Sequence, residues 1–171
     1  MKSVIKKDLK GKKILVTAGP TQESIDPVRY VTNHSTGKMG YAIAKVAANR
    51  GAEVILVSGP VNLTPPHHVT LIKVTTAKEM FEAVKKEADS SDIIIKAAAV
   101  ADYKPKIYFD DKMKKKENEI SIEFEKTDDI LKYLGENKKE GQKLIGFSME
   151  TTDVEENSKK KLSSLLNLFI F

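Results

Sequence analysis

Short continuous apolar runs alternate along this chain with stretches of helical periodicity, and that alternation predicts its elements. Lys13-Ile14-Leu15-Val16-Thr17 reads as a buried strand. Beyond it Met39, Ala42, Ile43, Val46 and Ala47 recur at helical spacing, and Gly51 fits a helix stop. Glu53 to Val57 is a second buried strand, closed by Gly59-Pro60. A Pro-containing loop, Leu63–His68, leads to a third strand from Val69 to Val74. Thr76 with Glu79 forms a capping box, and Met80, Phe81, Val84 and Ala88 give the following helix an apolar face. Asp92-Ile93-Ile94-Ile95 is again a buried strand.

This β-α-β-β-α-β series predicts an α/β fold, a Rossmann-like, largely parallel sheet with helices on both faces. From Tyr103 to Lys116 the periodicity stops, which predicts a mobile lysine-rich loop. Ile120 to Glu125 then alternates strictly, as a half-exposed strand in a short antiparallel extension should. Asp128 or Asp129 can cap a short helix through Tyr133, and Lys143 to Phe147 reads as another strand. Thr152 with Glu155 opens a helix through Lys161, and Leu168–Phe171 reads as a last strand.

Composition narrows the function classes. The 171 residues, 40% hydrophobic and 31% charged, suffice for one domain with a core. No apolar run is long enough to span a bilayer and no signal peptide is apparent, so a cytoplasmic protein without a membrane partner is expected. Zero cysteines exclude disulfides, thiolate metal sites and a cysteine nucleophile. With only His34, His67 and His68, a protein-held metal is not expected. The net charge of +5 lies mostly in lysine clusters without interleaved aromatics, so no nucleic-acid partner is expected either.

In open parallel sheets ligands bind beyond the carboxyl ends of the strands. Ala18–Thr21, Ala97–Tyr103 and whatever follows Phe147 should therefore meet in space. Asn33-His34-Ser35-Thr36-Gly37-Lys38-Met39-Gly40 runs into the first helix, where small residues leave backbone N–H groups facing a possible anion. Neither G-x-G-x-x-G nor G-x-x-x-x-G-K-[ST] follows the first strand. Ala97-Ala98-Ala99-Val100-Ala101-Asp102-Tyr103 has side chains small enough to let a ligand reach the backbone, with Asp102 as the first carboxylate at the mouth. Tight sheet–helix packing with Asp102 capping a turn explains the same residues. Asn33 is equally readable as an N-cap, and Lys112–Lys116 as a solvated run.

Five segments in order carry a more specific signal. Gly19-Pro20-Thr21-x-Glu23, Asp26-Pro27-Val28-Arg29-Tyr30, Asn33 to Gly40, Ala98 to Tyr103, and Lys112-Met113-Lys114-Lys115 together resemble the bacterial phosphopantothenate–cysteine ligases. The likeness covers roughly Lys12 to Leu162. In many bacteria this ligase is the C-terminal half of a bifunctional coenzyme A biosynthesis protein whose other half is a flavin-dependent decarboxylase. The resemblance implies that CTP activates the carboxylate of 4′-phosphopantothenate as an acyl-cytidylate, and that L-cysteine displaces CMP. It implies Asn33 and Lys112 as catalytic residues. Asn33, Ala98, Ala99 and Asp102 would bind the pantothenoyl substrate. The nucleotide would meet Gly19, Ser35, Gly37, Gly40, Ala98, Asp102, Lys112, Asp128, Asp129, Ile130, Leu131, Phe147 and Lys161. Mg²⁺ would bridge the phosphates, no flavin would be bound by this chain, and the family is dimeric, so a homodimer is expected.

Under this reading residues 1–11 are a linker remnant and 12–171 a single CTP-binding ligase domain, truncated at its C-terminus. The family places a further lysine near Leu165. Two alternatives compete. A Rossmann-type NAD(P) oxidoreductase would need a glycine fingerprint and an acidic residue after the second strand, where Ser58-Gly59 stand. A non-catalytic nucleotide-binding or assembly module would bind CTP without cleaving it.

Overall fold

The computed structural model describes residues 6–113, 120–147 and 168–170. In chain order it places β1 (Lys13–Ala18), β2 (Gln22–Ser24), β3 (Tyr30–Thr32), α1 (Lys38–Asn49), β4 (Glu53–Ser58) and β5 (Val69–Lys73). Then come α2 (Ala77–Ala88), β6 (Ile93–Lys96), β7 (Tyr103–Pro105), β8 (Phe124–Lys126), α3 (Ile130–Glu136), β9 (Lys143–Gly146) and β10 (Leu168–Ile170). Six strands form a parallel sheet in the order β10-β9-β6-β1-β4-β5. Two antiparallel ribbons, β2-β3 and β7-β8, lie outside it.

The near-continuous apolar runs follow from burial on both faces. Ile14, Val16 and Ala18 of β1, with Val54 and Leu56 of β4, pack under α1. The alternate residues Leu15, Ile55, Val57, Ile94 and Leu144 face α2 and α3 on the other side. The Thr76–Glu79 capping box opens α2 as predicted, and the Phe81 and Tyr133 rings meet edge-on at 5.1 Å between α2 and α3. Among the described residues no helix is long and apolar enough to cross a membrane.

The structure corrects several local expectations. The buried stripe of α1 is Gly40, Tyr41, Ala44 and Ala47, whereas Met39 and Val46 are exposed. The helix is rotated because Gly40 presses its backbone against β1: a Cβ there would meet the Ala18 Cβ at 2.5 Å and the Thr17 carbonyl oxygen at 2.9 Å. The expected strand from Ile120 to Glu125 shortens to Phe124–Lys126, since its partner β7 offers only three residues. Helix α3 runs three residues past Tyr133, and Asp129 caps it by accepting from the Lys132 amide at 3.0 Å. The expected helix from Thr152 through Lys161 lies outside the described residues.

Candidate functional site

Strand order reverses between β1 and β6. From β1 the chain steps outward to β4 and β5, then returns to β6 on the other side. Open α/β sheets bind ligands in a crevice outside the carboxyl ends of the strands at such a switch point, and here the segments leaving β1 and β6 run side by side there. Ala18–Thr21 and Ala97–Tyr103 meet there as expected. The Ala99 amide donates to the Gly19 carbonyl at 2.9 Å, and the Thr21 amide to the Ala99 carbonyl at 3.3 Å.

Threonines lock this seam. Thr17 Oγ1 accepts from the Ala98 amide at 3.2 Å and Thr21 Oγ1 from the Ala101 amide at 3.0 Å. Thr127 donates its hydroxyl to the Ala101 carbonyl at 2.6 Å and its amide to the Asp102 carbonyl at 3.0 Å, which brings Asp128 to the crevice. The amides of Ala98, Ala99 and Ala101 are thus committed within the protein. What this strand end offers a ligand is the low profile of its alanine side chains. Asp102 stands exposed at the mouth.

Asn33 reaches across from the segment before α1. Its Nδ2 donates to the Ala99 carbonyl at 3.3 Å and to the Val100 carbonyl at 3.1 Å. With both amide hydrogens engaged, Oδ1 is the atom left to meet a ligand, and it is an acceptor.

The start of α1 lies beside the same loops. Gly37 takes a left-handed φ of 72°, and its missing Cβ would lie 3.3 Å from the Gly19 nitrogen and 2.8 Å from Val61 Cγ1. Gly59 closes the junction, because a Cβ on it would overlap the Pro20 carbonyl oxygen. Ser35 Oγ accepts from the Gly37 amide at 3.3 Å, no side chain caps the helix, and its first turn holds no acid. Twelve helical residues therefore point a positive dipole end at this corner, a setting that favours an anion. Gly40 lies on the packed side, against β1.

The remaining predicted residues divide. Asp128 is exposed, Asp129 caps α3, and the Ile130 side chain is in the core, so only its backbone remains for a ligand. Leu131 packs against that core, and Phe147 is 38% exposed at the end of β9. Lys112 is exposed, and Lys161 lies outside the described residues.

Buried polar residues that sequence reasoning missed tie the ribbons to this frame. Glu23 accepts from the Ala77 amide at 2.8 Å, fixing β2 to the start of α2. Asp26 receives the amides of Val28 and Arg29 on Oδ1, and the Met113 amide on Oδ2 at 3.1 Å. Burial pushes its carboxyl upward, but these backbone donors and the Arg29 guanidinium outweigh that and hold it below the usual aspartate value. The available signal was the place of Glu23 and Asp26 in two of the five quoted segments, which marks them without saying what they anchor.

A separate cleft of about 570 Å³ lies at the ends of β4 and β5, between Tyr30, Val61, Asn62 and Lys73. No predicted site residue lines it. It backs onto the glycine junction through Gly59 and Val61, but the convergent polar groups lie in the crevice. We therefore place the candidate site in the crevice.

The family described as "DNA/pantothenate metabolism flavoprotein C-terminal domain" matches residues 9–168. The coenzyme A biosynthesis bifunctional protein CoaBC of Bacillus subtilis (strain 168) is 55% identical over 157 residues, covering 91% of this chain and 38% of that protein. The chain spans about two-fifths of the length of the curated relatives it matches. The crystal structure of the C-terminal domain of a CoaBC is similar with a TM-score of 0.81 and 57% identity, over 91% of this chain and 74% of that one. A Cab2 mutant in complex with phosphopantothenate-cysteine shares the fold, with a TM-score of 0.77 at 16% identity, over 94% of this chain and 73% of that one.

Proposed function

The chain belongs to the DNA/pantothenate metabolism flavoprotein C-terminal domain family, and from that premise we propose that it is a ligase of coenzyme A biosynthesis. It joins 4′-phosphopantothenate to L-cysteine with CTP as the activating nucleotide. A pantothenate carboxylate oxygen attacks the α-phosphorus of CTP and pyrophosphate leaves. The cysteine amine then attacks the acyl carbon of the acyl-cytidylate, forms the amide bond, loses a proton and expels CMP. Neither half requires a protein nucleophile, which suits a chain without cysteine. The enzyme's task is alignment and neutralisation of phosphate charge.

One observation carries the reading. Asn33 is clamped to the carbonyls of Ala99 and Val100, a few residues from the uncapped start of α1. An anion corner and an oriented polar group thus flank one crevice. Because Oδ1 is an acceptor, Asn33 is suited to receive an N–H of the incoming cysteine amine rather than to hold a carboxylate. Ser35, Gly37 and Gly19 would line the nucleotide phosphates, Asp102 and the alanines the pantothenoyl arm, and Asp128 to Leu131 with Phe147 the rest of the nucleotide. Lys112 would neutralise developing phosphate charge. Among the described residues no group of three or more His, Cys, Asp or Glu side chains could hold a metal, so Mg²⁺ would arrive with the triphosphate. A protein of this fold binding phosphopantothenate-cysteine is in keeping with this, through the fold alone.

The ribbons expose Tyr30, Tyr103 and Phe124, and the segment after β7 exposes Ile107, Tyr108 and Phe109, apolar side chains suited to meeting a second copy of the chain. The relatives' bifunctional character fits fusion to a flavin-dependent decarboxylase. The deciding experiment is mass-spectrometric product analysis with Mg²⁺, 4′-phosphopantothenate and CTP or ATP, with and without cysteine. Phosphopantothenoylcysteine plus CMP, with acyl-cytidylate when cysteine is omitted, is the expected result. Absence of product with either nucleotide would replace the ligase by a binding module.

A further inference from the structure

We propose that Asp26 is a positioning residue for Lys112, an inference that rests on the role of Lys112 in the ligase reading. The Asp26 side chain is fully buried in the turn between β2 and β3. Its Oδ1 accepts from the amides of Val28 at 2.8 Å and Arg29 at 2.9 Å, which closes the turn. That local job needs one neutral oxygen, and Asn or Ser does it in other turns. The second oxygen serves something distant. Oδ2 accepts the Met113 amide at 3.1 Å, 87 positions along the chain, and pairs with the Arg29 guanidinium at 3.2 Å. Arg29 in turn donates through Nη2 to the Met113 carbonyl at 3.1 Å.

Met113 is therefore gripped at both its N–H and its C=O, directly after Lys112. A further bond, from the Phe109 amide to the Ile25 carbonyl at 3.0 Å, anchors the same segment four residues earlier. A buried carboxylate is unfavourable unless it is paired and fully hydrogen-bonded, so its presence points to a requirement beyond the turn itself. Fixing the backbone beside an exposed lysine narrows the volume its ammonium explores, which preorganises a charge for the transition state.

Asp26→Asn tests this, because it keeps the turn's acceptor but loses the charge and one acceptor for Met113. In the ligand-free chain the Met113 amide should exchange hydrogen about tenfold faster in the variant or more, measured against amides of the parallel sheet, which report any general loss of stability. Turnover should fall about 10- to 100-fold, yet less than about twofold when Asp26→Asn is added to Lys112→Ala, since a residue acting through another is not additive with it. Should Asp26→Asn not fold, Arg29→Lys keeps the ion pair, removes the bond to the Met113 carbonyl, and is read the same way. Equal Met113 exchange in parent and variant, or equal losses of turnover with and without Lys112, would overturn the proposal. An inactive parent chain would sink the ligase reading instead, and the exchange rates would then decide the Asp26 clasp alone.

Discussion

The parallel sheet and the two antiparallel ribbons solve the problem of holding a backbone in place by opposite means. At the ends of β1, β4 and α1 the chain is fixed by what is missing: Gly19, Gly37, Gly40 and Gly59 lack side chains where one would collide. In the ribbons it is fixed by what is added, the buried carboxylates of Glu23 and Asp26 reaching distant amides. Close packing is rigid and intolerant, and it defines the crevice. Hydrogen-bonded anchors hold three-residue strands, β3 and β8 exposed throughout, that bury too little to hold themselves. The sheet should therefore govern stability, while the ribbons and the segment they hold govern turnover.

Substitution can break this contrast at either end. Gly59→Ala should have the largest effect, a loss of more than about 3 kcal/mol or no folding, because the Pro20 carbonyl must move; thermal unfolding checks it. Lys112→Ala should leave the melting temperature unchanged and lower turnover roughly 10²–10³-fold. A drop in melting temperature with normal turnover would reverse the assignment. Asn33→Asp spans both regions, since a carboxylate cannot donate to the Ala99 and Val100 carbonyls. It should slow cysteine-dependent product formation about tenfold or more, at a stability cost of about 1–3 kcal/mol.

The smallest effect is one of pH. Asp26 has its native value lowered, so its contribution is full above the ordinary aspartate value of about 3.9 and is lost as pH falls from there toward the lowered native value. Protection of the Met113 amide, its exchange rate relative to the unstructured chain at the same pH, should fall across that acid window in the parent and stay low throughout in Asp26→Asn.

The same contrast decides what could be read from the sequence. The sheet was legible because burial on both faces imposes apolar runs, and the Thr76–Glu79 box and Gly51 mark helix ends by local chemistry. The crevice was legible in outline, since strand ends in such sheets converge. Of the ribbons only β8 was, in part, through the alternation that predicted a short antiparallel extension; β2, β3 and β7 were not. Three residues carry no periodicity, and the partners of Thr21, Glu23 and Asp26 lie far along the chain, where no spacing rule reaches. Helix α1 was legible as a helix but not in its rotation, because hydrophobicity favours Met39 and Val46 while contact geometry favours Gly40 and Ala44. Gly59 read as a strand stop, and its contact with Pro20 emerges only from three dimensions.

The strand order also has a history in time. During synthesis β1 can pair with β4, and β4 with β5, with α1 packed over them, before residues 93–96 have left the ribosome. Its other edge stays open until β6 arrives. The bonds from Thr17, Gly19 and Thr21 to the segment after β6 form only at that closure. The crevice is thus also the suture between the early and late halves of the chain, where an error of assembly and a loss of activity would have one address.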